Sequence, residues 1–444
     1  MYHIWLQSSK NALHAELRQC DEEGTDISAL RARFDELLGA ENEDDAWRAR
    51  ADELLDEVSE LSASAEAEGS EPSELRPIRA LRPASRWKTP RPLPGRDVVS
   101  DHILGAWQGR CAGCLLGKPF EGWRKEQIEG FCAETGQWPL RGFVSAGAAT
   151  DDMSERYPIS DRPFIDRVDH MVSDDDTNYT AAGLLIYERH GRVFTPGNVA
   201  EFWMQYLPVL HVCTAERAAY RNFVCGVDPP RSARLRNPYR EWIGAQIRAD
   251  FWGYVCPGDP ATAAEFAWRD ASISHVKNGV YGEMWVAAML AAAAVEGDLR
   301  AVVEAGLGEI PRGSRLASEV REVVALADGG AGPDELMARV HARWDEGVGH
   351  DWCHTISNAS IVAAALLTCG GDFARAVTTA VAPGFDTDCN GATVGSIMGM
   401  LLGASILPPE WARPLNDRLS TDIRGANEVR ITDMAIRTVN LALS

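Results

Sequence analysis

Two runs of acidic residues carry the strongest chemical signal in the chain. The first is Ser173-Asp174-Asp175-Asp176-Thr177, and the second is Gly384-Phe385-Asp386-Thr387-Asp388-Cys389-Asn390-Gly391. Successive carboxylates repel one another. Backbone N–H groups at a helix start offset part of that cost, and bound cations offset far more. Oxygen donors without His or Cys pairs suit hard cations, Mg²⁺ first, then Mn²⁺ or Ca²⁺. Together the clusters offer Asp174, Asp175, Asp176, Asp386 and Asp388 as ligands for two ions. Such a pair polarises an oxygen-rich substrate and activates a water. Either cluster alone also reads as a solvated helix cap. An unusually apolar segment follows each one, which a solvated cap does not need and a metal site at the base of a cleft does.

Those segments must position the acids. Asn178–His190 is apolar-periodic and stops at Gly191. The second cluster leads into Gly391, Gly395, Gly399 and Gly403 at strict four-residue spacing. Each glycine costs a helix about 1 kcal/mol against alanine, and the series makes one bare face that a neighbouring helix can approach closely. Further helices are predicted over residues 261–271, 282–295, 316–327, 359–368 and 374–382. Few stretches alternate with period two, so no strands are predicted. The expected body is one all-α domain over residues 97–444. Before it, residues 1–61 form a helical appendage. One stripe there is Ile27, Leu30, Phe34, Leu37 and Leu38, with Asp26 as cap, and a second is Leu54, Leu55, Val58 and Leu61. Residues 62–96 are rich in Pro and Arg and predict a linker, or an arm lying across an acidic surface of the same protein.

The charge balance is 44 basic against 65 acidic residues, a net −21. That excludes a phosphate-backbone partner, which needs clustered Lys and Arg. The 45% hydrophobic content suits a globular core. The apolar runs 285–295 and 392–407 are shorter than the ~20 residues of a membrane span, and predict buried helices with no membrane contact. The ten cysteines are scattered and no secretory pattern opens the chain, so free thiols in a cytoplasmic protein are expected.

Taken together, the residues resemble the ADP-ribosylglycohydrolases. That family shares a Gly-Asp-x-x-Gly-x-x-x-Glu run, a Thr/Ser-Asp-Asp-Thr cluster, a Thr-His motif and a C-terminal Gly-Asp-Thr-Asp-Thr-x-Gly-Ala. Counterparts occur here in the same order between about Gly105 and Gly403. The resemblance implies a compact all-α domain, two Mg²⁺ ions (Mn²⁺ in their place) and hydrolysis at C1 of a ribose. It implies Asp174, Asp175, Asp176, Asp386 and Asp388 as ligands, with Asp175 also accepting the water's proton. It gives Glu121, in Gly113-Cys114-Leu115-Leu116-Gly117-Lys118-Pro119-Phe120-Glu121, a gating or acid–base role. Ser272-Ile273-Ser274-His275 resembles the Thr-His motif and places His275 near the substrate, with Asn278, Gly279 and Tyr281 lining the same cleft. The chain departs from the pattern at Asp174 (usually Thr or Ser), Cys114 (usually Asp), Cys389 (often a ligating Thr) and Phe385 (usually Gly).

The expected partner is an ADP-ribosylated protein or a ribosylated small molecule. Two rivals are an N-ribosyl hydrolase acting on a nucleotide- or NAD-derived metabolite and a non-catalytic ADP-ribose-binding protein. A metal-dependent phosphohydrolase is weaker. Thr150-Asp151-Asp152-Met153 imitates the first cluster but predicts a loop. His350, Cys353 and His354 can be drawn as a metal site or a Cys–His nucleophile, although no local signature supports either. Asn358 is expected to be structural.

Overall fold

A computed structural model of the chain describes residues 6–61 and 63–444. Among them form twenty-three α-helices and one two-stranded sheet, an all-α architecture. Its axis is a helix pair, Arg96–Gly117 and Thr387–Leu402, which make the most extensive helix–helix contact in the molecule. The glycine face expected on the second helix meets a matching one on the first. A methyl group on Gly109 would lie 2.1 Å from the carbonyl oxygen of Gly395, and one on Gly395 2.2 Å from that of Gly109. Gly113 faces Gly391 and Gly105 faces Gly399 in the same way, so the helices run antiparallel with touching backbones. The end of the first helix therefore lies beside the start of the second. Lys118 and Glu121 are delivered there to Asp386 and Asp388.

The helices predicted in the body fall where the periodicity places them, with small shifts at their ends, and others, such as Pro196–Tyr206, Thr214–Val224 and Pro333–Arg343, join them. The helix expected over 178–190 begins at Asp175, and those at 282 and 359 begin at Lys277 and Thr355. Residues 285–293 and 392–402 of the two apolar runs lie in buried helices, the second run leaving its helix at Gly403 with Ile406 exposed, and no helix among the described residues is long and apolar enough to cross a membrane. Two expectations are corrected. A short antiparallel hairpin pairs Arg418–Ser420 with Glu428–Arg430, and Met171 bridges to Leu419. Three-residue strands are too short to show an alternation. Thr150-Asp151-Asp152-Met153 opens a short helix, Asp151–Arg156, with Thr150 as its cap; Arg156 holds Asp152 and Glu134 on the surface.

At the N-terminus the helix Lys10–Glu23 lies between two cores. Leu13 and Cys20 join Phe34, Leu37, Trp47, Leu54, Leu55 and Val58 in a small separate cluster. Its other face carries Glu16, Gln19 and Glu23 to Arg240 and Glu241 of the body. Asp26 caps the turn at Ser28, and the next helix starts later, at Arg31. The Arg-rich segment runs along the body, pairing Arg79 with Glu265, Arg82 with Glu309 and Arg91 with Glu296.

Candidate functional site

Asp174 stands at the cap of the helix Asp175–His190, its carboxylate accepting the Asp176 N–H at 2.8 Å. Three contacts fix this helix start. Met171 is tied to the hairpin through its N–H and its carbonyl. Asp422, just beyond the first hairpin strand, accepts hydrogen bonds from Ser173 and from Asn178, the latter at 2.9 Å. From the glycine pair, the fully buried Arg110 donates to the Asp176 carbonyl at 2.7 Å and pairs with the carboxylates of Asp176 at 3.2 Å and Asp250 at 2.7 Å.

The second cluster is held as firmly. Thr387 donates its hydroxyl to the carbonyl of Gly117 at 2.9 Å, locking the two glycine helices at the site. Asn358 accepts the Asp386 N–H at 3.3 Å and the Asn390 side-chain amide at 2.8 Å. Trp352 donates to the Phe385 carbonyl at 2.7 Å. Phe385 itself has φ +59°. This is the left-handed region, which costs a non-glycine residue about 1–2 kcal/mol. Burial of its ring against His341 holds it there.

The two helix starts and the turn after Gly117 face each other. The Lys118 ammonium lies 2.5 Å from Asp174 Oδ2, 2.7 Å from Glu121 Oε2 and 3.2 Å from Asp388 Oδ2. Burial alone would push the pKa of that ammonium down, but Asp388, Asp174 and Glu121 outweigh burial and hold it above its ordinary value. Burial would likewise raise Asp174, and Lys118 reverses this. Lys118 helps Asp175 too little to reverse the shift, and it is not among the causes acting on Asp386. Burial, then Asp174 in one case and Asp388 in the other, raises both well above the carboxylate range. Asp176 is raised too, because Arg110 only partly opposes burial and Asp174. Glu121 is pushed up to about 7 by Asp388 and then by burial. Six carboxylates thus share a pocket with too little positive charge to ionise together.

The donor set fits a hard cation. One oxygen each of Asp176 and Asp388 is buried without a hydrogen-bond partner, and these residues and Cys389 offer ligand atoms within 4.8 Å of one another. Cys114, Asp174 and Asp176 form a second such group. Burial and the adjacent carboxylates push both thiols well up, so the anionic donors here are oxygens.

Residues 96–440 match the sequence profile described as ADP-ribosylglycohydrolase. The chain belongs to the ADP-ribosylglycohydrolase family. A solved structure titled "ADP-ribosylglycohydrolase-related protein complex" superposes with a TM-score of 0.49 at 20% identity, over 78% of this chain and 99% of that one. No curated protein matches. The family makes the chain an ADP-ribosylglycohydrolase-type hydrolase, and the acidic pocket lies inside the matched region.

Of the residues expected at a family site, the structure brings together Glu121, Asp174, Asp175, Asp176, Asp386 and Asp388. It does not bring His275, Asn278, Gly279 and Tyr281 to them. Asn278 is fully buried, binding Glu241 through its N–H and amide and accepting from Leu316. Tyr281 donates to the Pro72 carbonyl, and a side chain at Gly279 would strike the Arg240 carbonyl. His275 is buried against Ser274 and the Glu216–Arg248 pair. All four belong to the packing of the helix Lys277–Ala293 or the turn before it.

His350 and His354 turn their Nε2 atoms to Glu22, each at 3.3 Å. Trp242 donates to Nδ1 of His350 and the Ile356 N–H to Nδ1 of His354, so hydrogen sits on both Nε2 atoms. A ring nitrogen that carries hydrogen has no lone pair, so in this arrangement neither Nε2 ligates a metal. Cys353 instead donates to Asp386 at 3.7 Å.

Lys118, Arg110 and Asp422 were not legible as site residues. Arg110 did leave a trace, as the lone formal charge between Ile103 and Leu116. So did the first glycine face, whose Gly105, Gly109, Gly113 and Gly117 repeat the spacing of the second.

Proposed function

We propose that this family member is a divalent-metal-dependent glycosidase. It hydrolyses the bond between ribose C1 and an acceptor in an ADP-ribosylated substrate and releases ADP-ribose. The observation that carries the reading is the convergence of six carboxylates from three chain segments on one pocket, two of them with unpartnered buried oxygens. Asp176, Asp386 and Asp388 would hold the metal, with Asp174 paired to Lys118 beside them. Bound there, a divalent ion supplies positive charge that orients the ribose hydroxyls and eases deprotonation of a water.

The chain's own residues then handle the protons. Asp175 is the half-buried member of the first cluster, and burial with Asp174 makes its carboxylate a better base. It takes the proton of the attacking water as the water oxygen bonds to C1. The bond from C1 to the acceptor breaks, and the leaving atom takes a proton from Glu121. That carboxyl, half-buried and 2.7 Å from the Lys118 ammonium, is the acid that the turn after Gly117 brings to the pocket. Charge that builds on the sugar ring meets a pocket of carboxylates.

The test is product release from arginine-, serine- and small-molecule-linked ADP-ribose, with Mg²⁺ and with chelator. Free ADP-ribose that appears only with metal is the expected result, and the preferred member names the acceptor class. Release from the small-molecule conjugates alone would move the reading to metabolite N-ribosyl hydrolysis. Binding of ADP-ribose without turnover of any member would make the protein a binder.

A further inference from the structure

Within the metal reading proposed above, the number of ions is open, and Lys118 bears on it. Its ammonium touches one carboxylate from each of the three segments that frame the pocket: Glu121 from the turn, Asp174 from the first cluster and Asp388 from the second. That is the place where a cation joining the two clusters would sit. The side chain is about four-fifths buried there.

The backbone beneath it has no freedom to withdraw. A methyl group on Gly117 would lie 2.2 Å from the Thr387 carbonyl oxygen, and Thr387 also holds the Gly117 carbonyl. Pro119 follows at once and begins a tight turn. The free oxygens nearby belong to Asp388, which Lys118 holds by its other oxygen, and to Asp176, which Lys118 does not contact. Asp388 Oδ1 and Asp176 Oδ2 are buried and unpartnered, whereas Asp174 has spent Oδ1 on the Asp176 N–H and Oδ2 on Lys118.

We propose that the Lys118 ammonium is a built-in cation filling one of two cation places, so that this chain takes a single divalent ion, held between Asp176 and Asp388. A second divalent ion on the oxygens that Lys118 holds would face a fixed positive charge within a few ångströms, and repulsion of that kind is weakly screened in a buried site.

The experiment counts Mn²⁺ on the full chain by native mass spectrometry and by the paramagnetic resonance of the bound ion, for the wild type and for Lys118→Met, which keeps length and removes charge. One Mn²⁺ with an isolated-ion spectrum is expected in the wild type. Two with an exchange-coupled spectrum are expected in the variant, and Lys118→Gln repeats the count should the methionine variant fold poorly. Two ions in the wild type would overturn the inference and leave the metal reading intact. One ion in wild type and variants alike would show that Lys118 excludes nothing, and overturn it equally. No ion in any of the proteins would remove the metal reading itself.

Discussion

Glu16, Glu23, Glu71 and Glu241 at the N-terminal interface are buried as deeply as Asp174, Asp176, Asp386 and Asp388 in the pocket. Their surroundings differ. Arg240 holds Glu16 at 2.9 Å and also Glu23, while Arg315 holds Glu71 and Glu241 at 2.8 Å, with Gln19 and Asn278 adding donors to Glu241. Each acid there has a guanidinium on the same molecule. In the pocket, Lys118 and the far side of Arg110 serve six acids. Buried charge that the fold neutralises is structure. Buried charge that the fold leaves in excess is a site for a cation from solution, and the two regions should respond oppositely to mutation, metal and pH.

The largest effect is expected in the pocket. Asp386→Ala removes a carboxylate without removing the Asn358 bond to the Asp386 N–H. Loss of a metal ligand forfeits several kcal/mol of transition-state stabilisation, about 10³-fold in rate. In chelator the melting temperature should stay level or rise, because a buried carboxyl that no cation of the fold neutralises has gone. A steady-state rate and a thermal melt measure both. Retained activity with a lowered melting temperature would place Asp386 with the structural acids and erase the contrast.

Arg240→Met makes the opposite prediction. It strands Glu16 and Glu23 in the interior, and breaking a buried pair this way costs about 3–5 kcal/mol. Chemical denaturation should show that loss, while turnover per folded molecule stays at the wild-type value. A fall in turnover with unchanged stability would mean that the N-terminal helix acts on the pocket.

The same contrast explains what the sequence disclosed. Acids at helix starts, helical stripes and glycines at four-residue spacing are local patterns, so Asp174–Asp176, Asp386, Asp388 and the helix Thr387–Leu402 could be found without coordinates. Charge balance is not local. Lys118 reaches Asp388 across 270 residues and Arg110 reaches Asp176 across 66, and nothing at either position records the partner. Asp422 grips Asn178 from a hairpin too short to leave a period. His275, Asn278, Gly279 and Tyr281 matched by order along the chain, but order does not specify which face of a helix turns to the pocket. Asn278, Tyr281 and Gly279 turn to Glu241, Pro72 and Arg240, and His275, in the turn before that helix, to Ser274 and Glu216.

Acid separates the regions next. Burial, opposed by Glu22, lowers His354 to about 4 from an ordinary 6.5. Below pH 6.5 the unfolded chain takes up a proton that the folded chain refuses until about 4, so this group's contribution is lost as pH falls through that window. The shift corresponds to about 3 kcal/mol. Glu121 runs the other way. Its folded carboxyl, raised to about 7 from 4.5, takes a proton that the unfolded chain does not, so acidification from 7 to 4.5 favours the folded state. Urea melts in chelator at pH 7, 6 and 5 should show the net slope, with the His354 part missing in His354→Gln. Saturating Mg²⁺ should remove the Glu121 part, since a cation returns that carboxyl toward its ordinary value. Slopes indifferent to Mg²⁺ would detach Glu121 from the metal pocket.

The smallest effect tests what holds the pocket's rim in shape. Phe385→Gly relieves the left-handed backbone before Asp386, worth about 1–2 kcal/mol, and deletes a fully buried ring, worth about 3–5 kcal/mol. Packing is the larger quantity, so the variant should lose about 2 kcal/mol in a denaturant melt. Its affinity for Mn²⁺ should weaken as well, because Gly384 and a glycine at 385 together free the turn that aims Asp386. A variant more stable than the wild type would mean that strain outweighs packing at this turn, and that the pocket, unlike the N-terminal interface, stores strain as well as charge.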